Sequence, residues 1–417
     1  MLFSNAEHYC AVREALVSWS ELWQNSIFHR YAEMERLIPE SWFHFGATED
    51  LSNQFAVGQG EGCARAPETL LNWIHQIRSL CVLPQVAETR VLPTTLCRGL
   101  TPKKRHEIEA LLSLFTTKDF SASHCLDIGG GVGHLARHLA LELGCTVDSI
   151  DRDSALQEKG LAILKAWPWR DVLKEQQIRY IPGEFPRENI GDARSDNTWA
   201  IGLHTCGDLA WAQLDLLKKG YSILNIGCCY EKLNAASGTQ RSSVARQRPL
   251  AWTDEALFLA NRGGVERSKD EFIFQQRVQQ YRFSLHELLY REGCDAHQCE
   301  EVGTATPAAY LGTFADYVRD RMRHFERTPA KLQSCSDASY RDFYRSIESL
   351  IEKKRFIAFV RNLLARPLEI ALLLDRALFI EEEGPNHGRN VRLIQVFNPM
   401  ISPRNIALVA QAVPVRN

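Results

Sequence analysis

The run Cys125-Leu126-Asp127-Ile128-Gly129-Gly130-Gly131-Val132-Gly133-His134-Leu135 constrains this chain more than any other stretch, because it sets an acid and alternating glycines between a short apolar strand and a helix. Glycine at 129, 131 and 133 lets the backbone turn through conformations closed to other residues and lets a ligand approach the main chain. A helix opening at about Val132 would turn unpaired N–H groups toward a carboxylate, while Asp127 at the strand end would face an ammonium. A loop that answers both halves of an amino-acid zwitterion suits S-adenosylmethionine (SAM).

The surrounding pattern is α/β. Thr101-Pro102 caps a helix that runs through Ile108, Leu111, Leu112 and Leu114 into the strand before the glycines. Beyond the loop the spacing predicts a helix to about Leu143, a strand over 145–150 ending at Asp151, and a helix through Leu164. Short apolar runs at 178–181, 199–203 and 221–226 complete five predicted parallel strands, covered by helices on both faces. Near the end, a helix around 367–374 precedes an expected antiparallel hairpin, with strands at 377–380 and 391–397 and the turn-rich 384–388 between them. The expected organisation is a helical N-terminal lobe at 1–100, with Trp19, Leu22 and Trp23 as core, then the cofactor-binding core at 101–230. A mostly helical insertion at 231–344 follows, and 345–417 completes the sheet.

With 417 residues and 45% apolar content, the chain can bury a sizeable core in two or three lobes. A formal net charge of -2 provides no global basic field, so any nucleic-acid contact must be local. Met1 to Cys10 does not read as a signal segment and no run of about eighteen apolar residues occurs, so the expectation is a soluble cytoplasmic protein without membrane contact. Twelve scattered cysteines favour reduced thiols.

Gly131 to Ala136 also fits the dinucleotide fingerprint G-x-G-x-x-G/A, but the strand ends by Gly129, so that fingerprint begins two residues late and leaves Asp127 without a role. Asp151 closes the next strand, where a carboxylate accepts hydrogen bonds from the ribose hydroxyls of either cofactor class, and Glu184, after the third strand, is read either as bordering the adenine or as a solvated acid beside a turn.

At the ends of strands four and five, His204, Cys206, Asp208, Cys228, Cys229 and Tyr230 are expected to converge where ligands bind in open α/β sheets. His204 or Asp208 is the candidate base for an acceptor that loses a proton. Three thiols and an imidazole also suggest zinc, but H-x-C and adjacent cysteines are not the usual C-x-x-C knuckles, so no metal is expected and acceptor lining and plain packing remain open. Lys103, Lys104 and Arg105, and Arg241, Arg246 and Arg248, are read either as phosphate contacts or as solvated charge. Lys353, Lys354 and Arg355 are expected on a helix surface, and His286 and His387 as surface or core histidines.

Thr101 to Glu107, the glycine loop, Leu203 to Leu209, Gly227 to Leu233 and Phe397 to Asn405 together resemble the methyltransferase-like protein 25 family, over residues 100 to 417. The fourth-strand motif is similar to that of the tRNA position-4 2′-O-methyltransferases. The resemblance implies a class I SAM-dependent methyltransferase fold, a Rossmann-like doubly wound sheet with a final antiparallel hairpin. It also implies that the glycine loop and Asp151 lie on the cofactor and the His204 and Cys228 loops near the acceptor. Some family members carry a ribosomal RNA adenine dimethylase label, which sits badly with the missing Asp/Asn-Pro-Pro-aromatic motif after strand four. The expected activity is methyl transfer to RNA or to a protein of the translation apparatus. The alternative is a non-catalytic SAM-binding or scaffold protein on the same fold.

Overall fold

A computed structural model describes residues 4–412 except 87–89, 116–119, 187–189, 194–196, 237, 264–267, 296, 298, 300, 326–328 and 384–389, with 330 and 333 described in backbone only. The expected turn at 384–388, His387 included, lies outside the described residues.

Seven strands form one sheet: β1 His124–Ile128, β2 Thr146–Asp151, β3 Ile178–Pro182, β4 Thr198–Thr205, β5 Ser222–Gly227, β6 Val391–Gln395 and β7 Ile406–Ala410, in the order β3-β2-β1-β4-β5-β7-β6. The first five pair in parallel, and β7 runs antiparallel between β5 and β6. β1, β5 and β7 are buried along their whole length, which is why they read as short apolar runs without alternation. This is the class I methyltransferase fold with its antiparallel ending. Strand order reverses between β1 and β4, so the crevice beyond their carboxyl ends is the natural place for a ligand.

The final hairpin is made of different residues from those expected. Ala377 to Ile380 lie inside one helix, Ala365–Glu383, and β6 pairs instead with β7, from Val391↔Ala410 to Gln395↔Ile406. The run from Ile370 to Ile380 is buried almost throughout, and a short apolar run such as Ala377–Ile380 buried on every side has no period that separates helix from strand.

The described residues divide into two compact units, and the boundaries cut across the expected ones. The first comprises Met1–Val17, Leu80–Glu266 and Ala365–Asn417, and the second Ser18–Ser79 with Arg267–Leu364. Residues 1–100 are therefore not one lobe: the helix Asn5–Val17 buries Tyr9, Val12 and Leu16 and anchors Asn5 Nδ2 to Glu381 Oε1 at 2.7 Å on the helix Ala365–Glu383. Residues 231–263, expected in the insertion, also belong to the sheet-bearing unit, where the Arg241 guanidinium lies 4.4 Å from the Trp211 ring centroid.

The second unit is helical among its described residues. Leu22 and Trp23 are fully buried, and Trp19 packs its ring 5.6 Å from Trp42 and 5.1 Å from Trp73, so the aromatic stripe is core as expected. Lys354 corrects the surface reading, because it is buried and its ammonium pairs with Glu287 at 3.2 Å. Its neighbour Lys353 pairs with Glu35 at 2.8 Å. His286 is a core residue whose pKa burial pushes down to about 3. Among the described residues no helix is long and apolar enough to cross a membrane.

Candidate active site

The glycine loop leaves β1 directly. Gly129 and Gly130 donate their amides to the Ile150 carbonyl at 2.9 and 3.1 Å, and Gly131 donates to Asp151 Oδ2 at 2.9 Å, which draws the loop onto the end of β2. Gly131 has φ +56°, and a Cβ there would meet nothing within 4 Å, so the loop is both left-handed and open on that side. The following helix starts at His134 rather than Val132, with Gly133 at φ +70° as its N-cap. A Cβ on Gly133 would lie 2.5 Å from the Tyr180 ring, so glycine is needed there for space as well as conformation. Tyr180 is itself held by Arg137 Nη1 at 2.9 Å.

Asp127 and Asp151 flank this loop. Asp127 is 2% exposed, and its Oδ2 has no hydrogen-bond partner among the described residues. Burial, with Asp151 adding repulsion, pushes its carboxyl up to about 7. Asp151 accepts from Gly131 N through Oδ2 and from Asp153 N through Oδ1, each at 2.9 Å, and each oxygen retains a further lone pair. Glu184 is exposed, one residue after Gly183, whose amide donates to the Asp151 carbonyl at 2.9 Å.

At the end of β4 the register with β5 shifts between Leu203 and Thr205, and His204 takes φ +69°. A bulge of this kind re-aims a side chain. The imidazole Nε2 meets Glu107 Oε1 at 2.8 Å, while Nδ1 is buried without a hydrogen-bond partner among the described residues. Glu107 is fully buried in the helix Pro102–Phe115, accepts from Ser402 Oγ at 2.8 Å and pairs with Lys104 at 3.0 Å. Burial opposes its charge, but His204 and Lys104 together hold the carboxyl down at about 2. Against an ionised carboxylate Nε2 must donate, so Nδ1 is the basic nitrogen.

Nothing local in the sequence reveals the His204–Glu107 pair. Glu107 and Ser402 both lie in segments that carried the family resemblance, but nothing in their spacing marks them as neighbours 295 positions apart. The basic run before Glu107 makes ion pairs along its own helix, since Lys103 lies 3.7 Å from Glu107 and Arg105 bonds Glu109 at 2.8 Å. These cations neutralise their own helix.

The other expected residues divide. Cys206 and Cys228 are joined as a disulfide, and the Sγ atoms of Cys206, Cys228 and Cys229 all lie within 4.8 Å of one another. Asp208 opens the helix Asp208–Leu214 as an exposed residue, where its charge complements the helix dipole. Tyr230 turns into the core, 2% exposed, with its hydroxyl donating to Glu369 Oε1 at 3.1 Å, and burial raises its pKa far above the ordinary range. That is a packing position and not an acceptor contact. Behind the site, Asn225 Nδ2 donates to Thr205 Oγ1 at 2.7 Å and Gln213 Oε1 at 2.8 Å, and Gln213 Nε2 donates to the Ala200 and Leu224 carbonyls at 2.9 Å each, which locks the ends of β4 and β5 together.

Residues 103–236 match a family described as a methyltransferase domain. The chain is 25% identical over 228 residues to the Homo sapiens protein named probable methyltransferase-like protein 25, and 22% identical over 225 residues to the Mus musculus protein of that name. Each alignment covers 50% of this chain and 36% of the relative, so the match spans about a third of the length of these relatives. The family resemblance read from the motifs is borne out, and the matches support methyl transfer as the chemistry.

Proposed function

We propose that this chain binds SAM at the carboxyl ends of β1 and β2 and transfers its methyl group to a macromolecular acceptor, RNA favoured over protein, at the ends of β4 and β5. The observation that carries this reading is the His204–Glu107 pair: a buried carboxylate holds Nε2, and the buried, unpartnered Nδ1 is a base on the same sheet edge as an open glycine loop. Bound SAM would supply an activated methyl group. Asp127 fits its ammonium, because a buried carboxyl whose charge burial disfavours gains from a cation, and the Asp151 oxygens fit the ribose hydroxyls. Glu184 would border the adenine. His204 Nδ1 takes the proton of an acceptor hydroxyl, with Glu107 stabilising the imidazolium that forms. A ribose hydroxyl has such a proton to lose, in keeping with the similarity of the β4 motif to tRNA 2′-O-methyltransferases. The Cys206 and Cys228 loops line the acceptor side, and the reading takes the chain to act in the cytoplasm.

Radiolabelled SAM incubated with cell extract tests this directly. Label that is released by nuclease and resists protease supports an RNA acceptor. Saturable SAM binding with no transfer to any fraction leaves the non-catalytic reading standing, and no SAM binding removes both.

A further inference from the structure

We propose that in the reduced protein Cys206, Cys228 and Cys229 hold a zinc ion through three thiolates, with the fourth coordination position left open. The sequence spacing argued against a metal because adjacent cysteines are not a knuckle, but spacing along a chain constrains ligands only when one loop supplies them. Here two neighbouring strand ends do: Cys206 follows β4, Cys228 and Cys229 follow β5, and the Asn225–Thr205–Gln213 network holds those ends in register.

A tetrahedral zinc with Zn–S bonds of about 2.3 Å sets neighbouring sulphurs about 3.8 Å apart. The Cys228 and Cys229 sulphurs lie 3.4 Å apart and all three lie within 4.8 Å, so small rotamer changes suffice. All three residues are half-buried, as an accessible site requires. Three thiolates and Zn²⁺ leave one net negative charge. Three protein ligands and an open position are the arrangement of a zinc that handles an exogenous ligand, whereas structural zinc is closed by four.

The Cys206–Cys228 disulfide and the metal are alternative states of the same sulphurs. A dithiol reductant supplies the two electrons and two protons that open the bridge and is itself oxidised to a disulfide. Zinc then displaces three thiol protons to solvent as the thiolates bind. The proposal does not depend on SAM binding or methyl transfer, and its test uses neither.

Full-length protein, reduced with a dithiol and desalted without oxygen, is titrated with Co²⁺ and then with Zn²⁺. We expect an intense thiolate-to-cobalt band saturating at one cobalt per chain and bleached by zinc. Cys229→Ser, which spares the bridge-forming pair, should weaken zinc binding at least roughly tenfold against a chromogenic chelator. Cys335→Ser, a half-buried cysteine in the other unit, should leave the affinity unchanged. Circular dichroism checks that each variant is folded, with Cys228→Ala as a second ligand variant. No band and no retained zinc in reduced wild type, equal zinc affinity in folded Cys229→Ser, or a Cys206–Cys228 bridge that survives the dithiol overturns the proposal.

Discussion

His204 occupies a backbone conformation that L residues avoid at a cost of about 1–2 kcal/mol, and it is retained where the ring must reach Glu107. His204→Ala should keep SAM affinity within about twofold and lose methyl transfer by at least a hundredfold, in the range of a missing general base. Glu107→Gln, which removes only the charge, should cause a smaller loss and alter the pH–rate profile. The ionisation of Glu107 also enters stability. Its folded pKa, about 2, lies below the unfolded value of 4.5, so the carboxylate contributes above pH 4.5 and that contribution fades as pH falls toward 2, by of order 3 kcal/mol in all. Urea midpoints of wild type should therefore drop between pH 5 and 3 more steeply than those of Glu107→Gln. Asp127 has the opposite sign, since its folded carboxyl sits at about 7 against 3.8 unfolded, and the native state loses stability as pH rises through that window. If Asp127 receives the ammonium, SAM titrations near pH 6.5 should release protons, seen as heats that depend on buffer ionisation enthalpy. Asp127→Asn should abolish the release. Asp127 and His204 are legible from sequence because each is a polar residue close to the end of an apolar strand, a few positions before a glycine. Glu107 was not, because its role exists only once Pro102–Phe115 is docked beside β4.

Among the elements, the glycine loop and the helix His134–Leu143 carry the sharpest packing constraint. Gly133→Ala combines a left-handed conformation with a Cβ 2.5 Å from Tyr180, and strain plus overpacking predict about 2–4 kcal/mol of destabilisation. Gly144→Ala has the same strained backbone, at φ +68°, but meets nothing within 4 Å, so its loss should be about 1 kcal/mol. Paired thermal melts of the two variants measure the difference, and equal losses would mean Tyr180 moves aside freely. The five parallel strands could be placed from sequence because each is a short segment holding buried apolar residues, bounded by turn residues and spaced by helices. β7 could not, since Ile406 to Ala410 is only five apolar residues, and Ala377 to Ile380 in the helix Ala365–Glu383 presented a rival apolar run beside turn residues. Only pairing decided between them, because β5 and β6 both take their hydrogen bonds from β7.

For the whole molecule, the sheet-bearing unit draws its residues from three separated segments, and the first of these is a single helix. Removing residues 4–17 exposes the surface that Tyr9, Val12 and Leu16 cover, at about 1.5–3 kcal/mol for each apolar side chain. The truncated protein should lose roughly 5 kcal/mol or fail to fold, and hydrogen exchange should show the loss first along Ala365–Glu383. Unchanged protection in that helix would show that Asn5–Val17 contributes little. What the sequence determined by itself is local: the strand–glycine–helix turn, the acid closing β2, the apolar strands of the parallel half and the polar residues at their ends all follow from neighbours in the chain. The partner of His204, the meeting of three thiols and the inward turn of Tyr230 belong to the tertiary structure. So do the membership of the helix Asn5–Val17 and the identity of the last strand. Each depends on contacts between segments tens to hundreds of residues apart, which local propensity and periodicity do not encode.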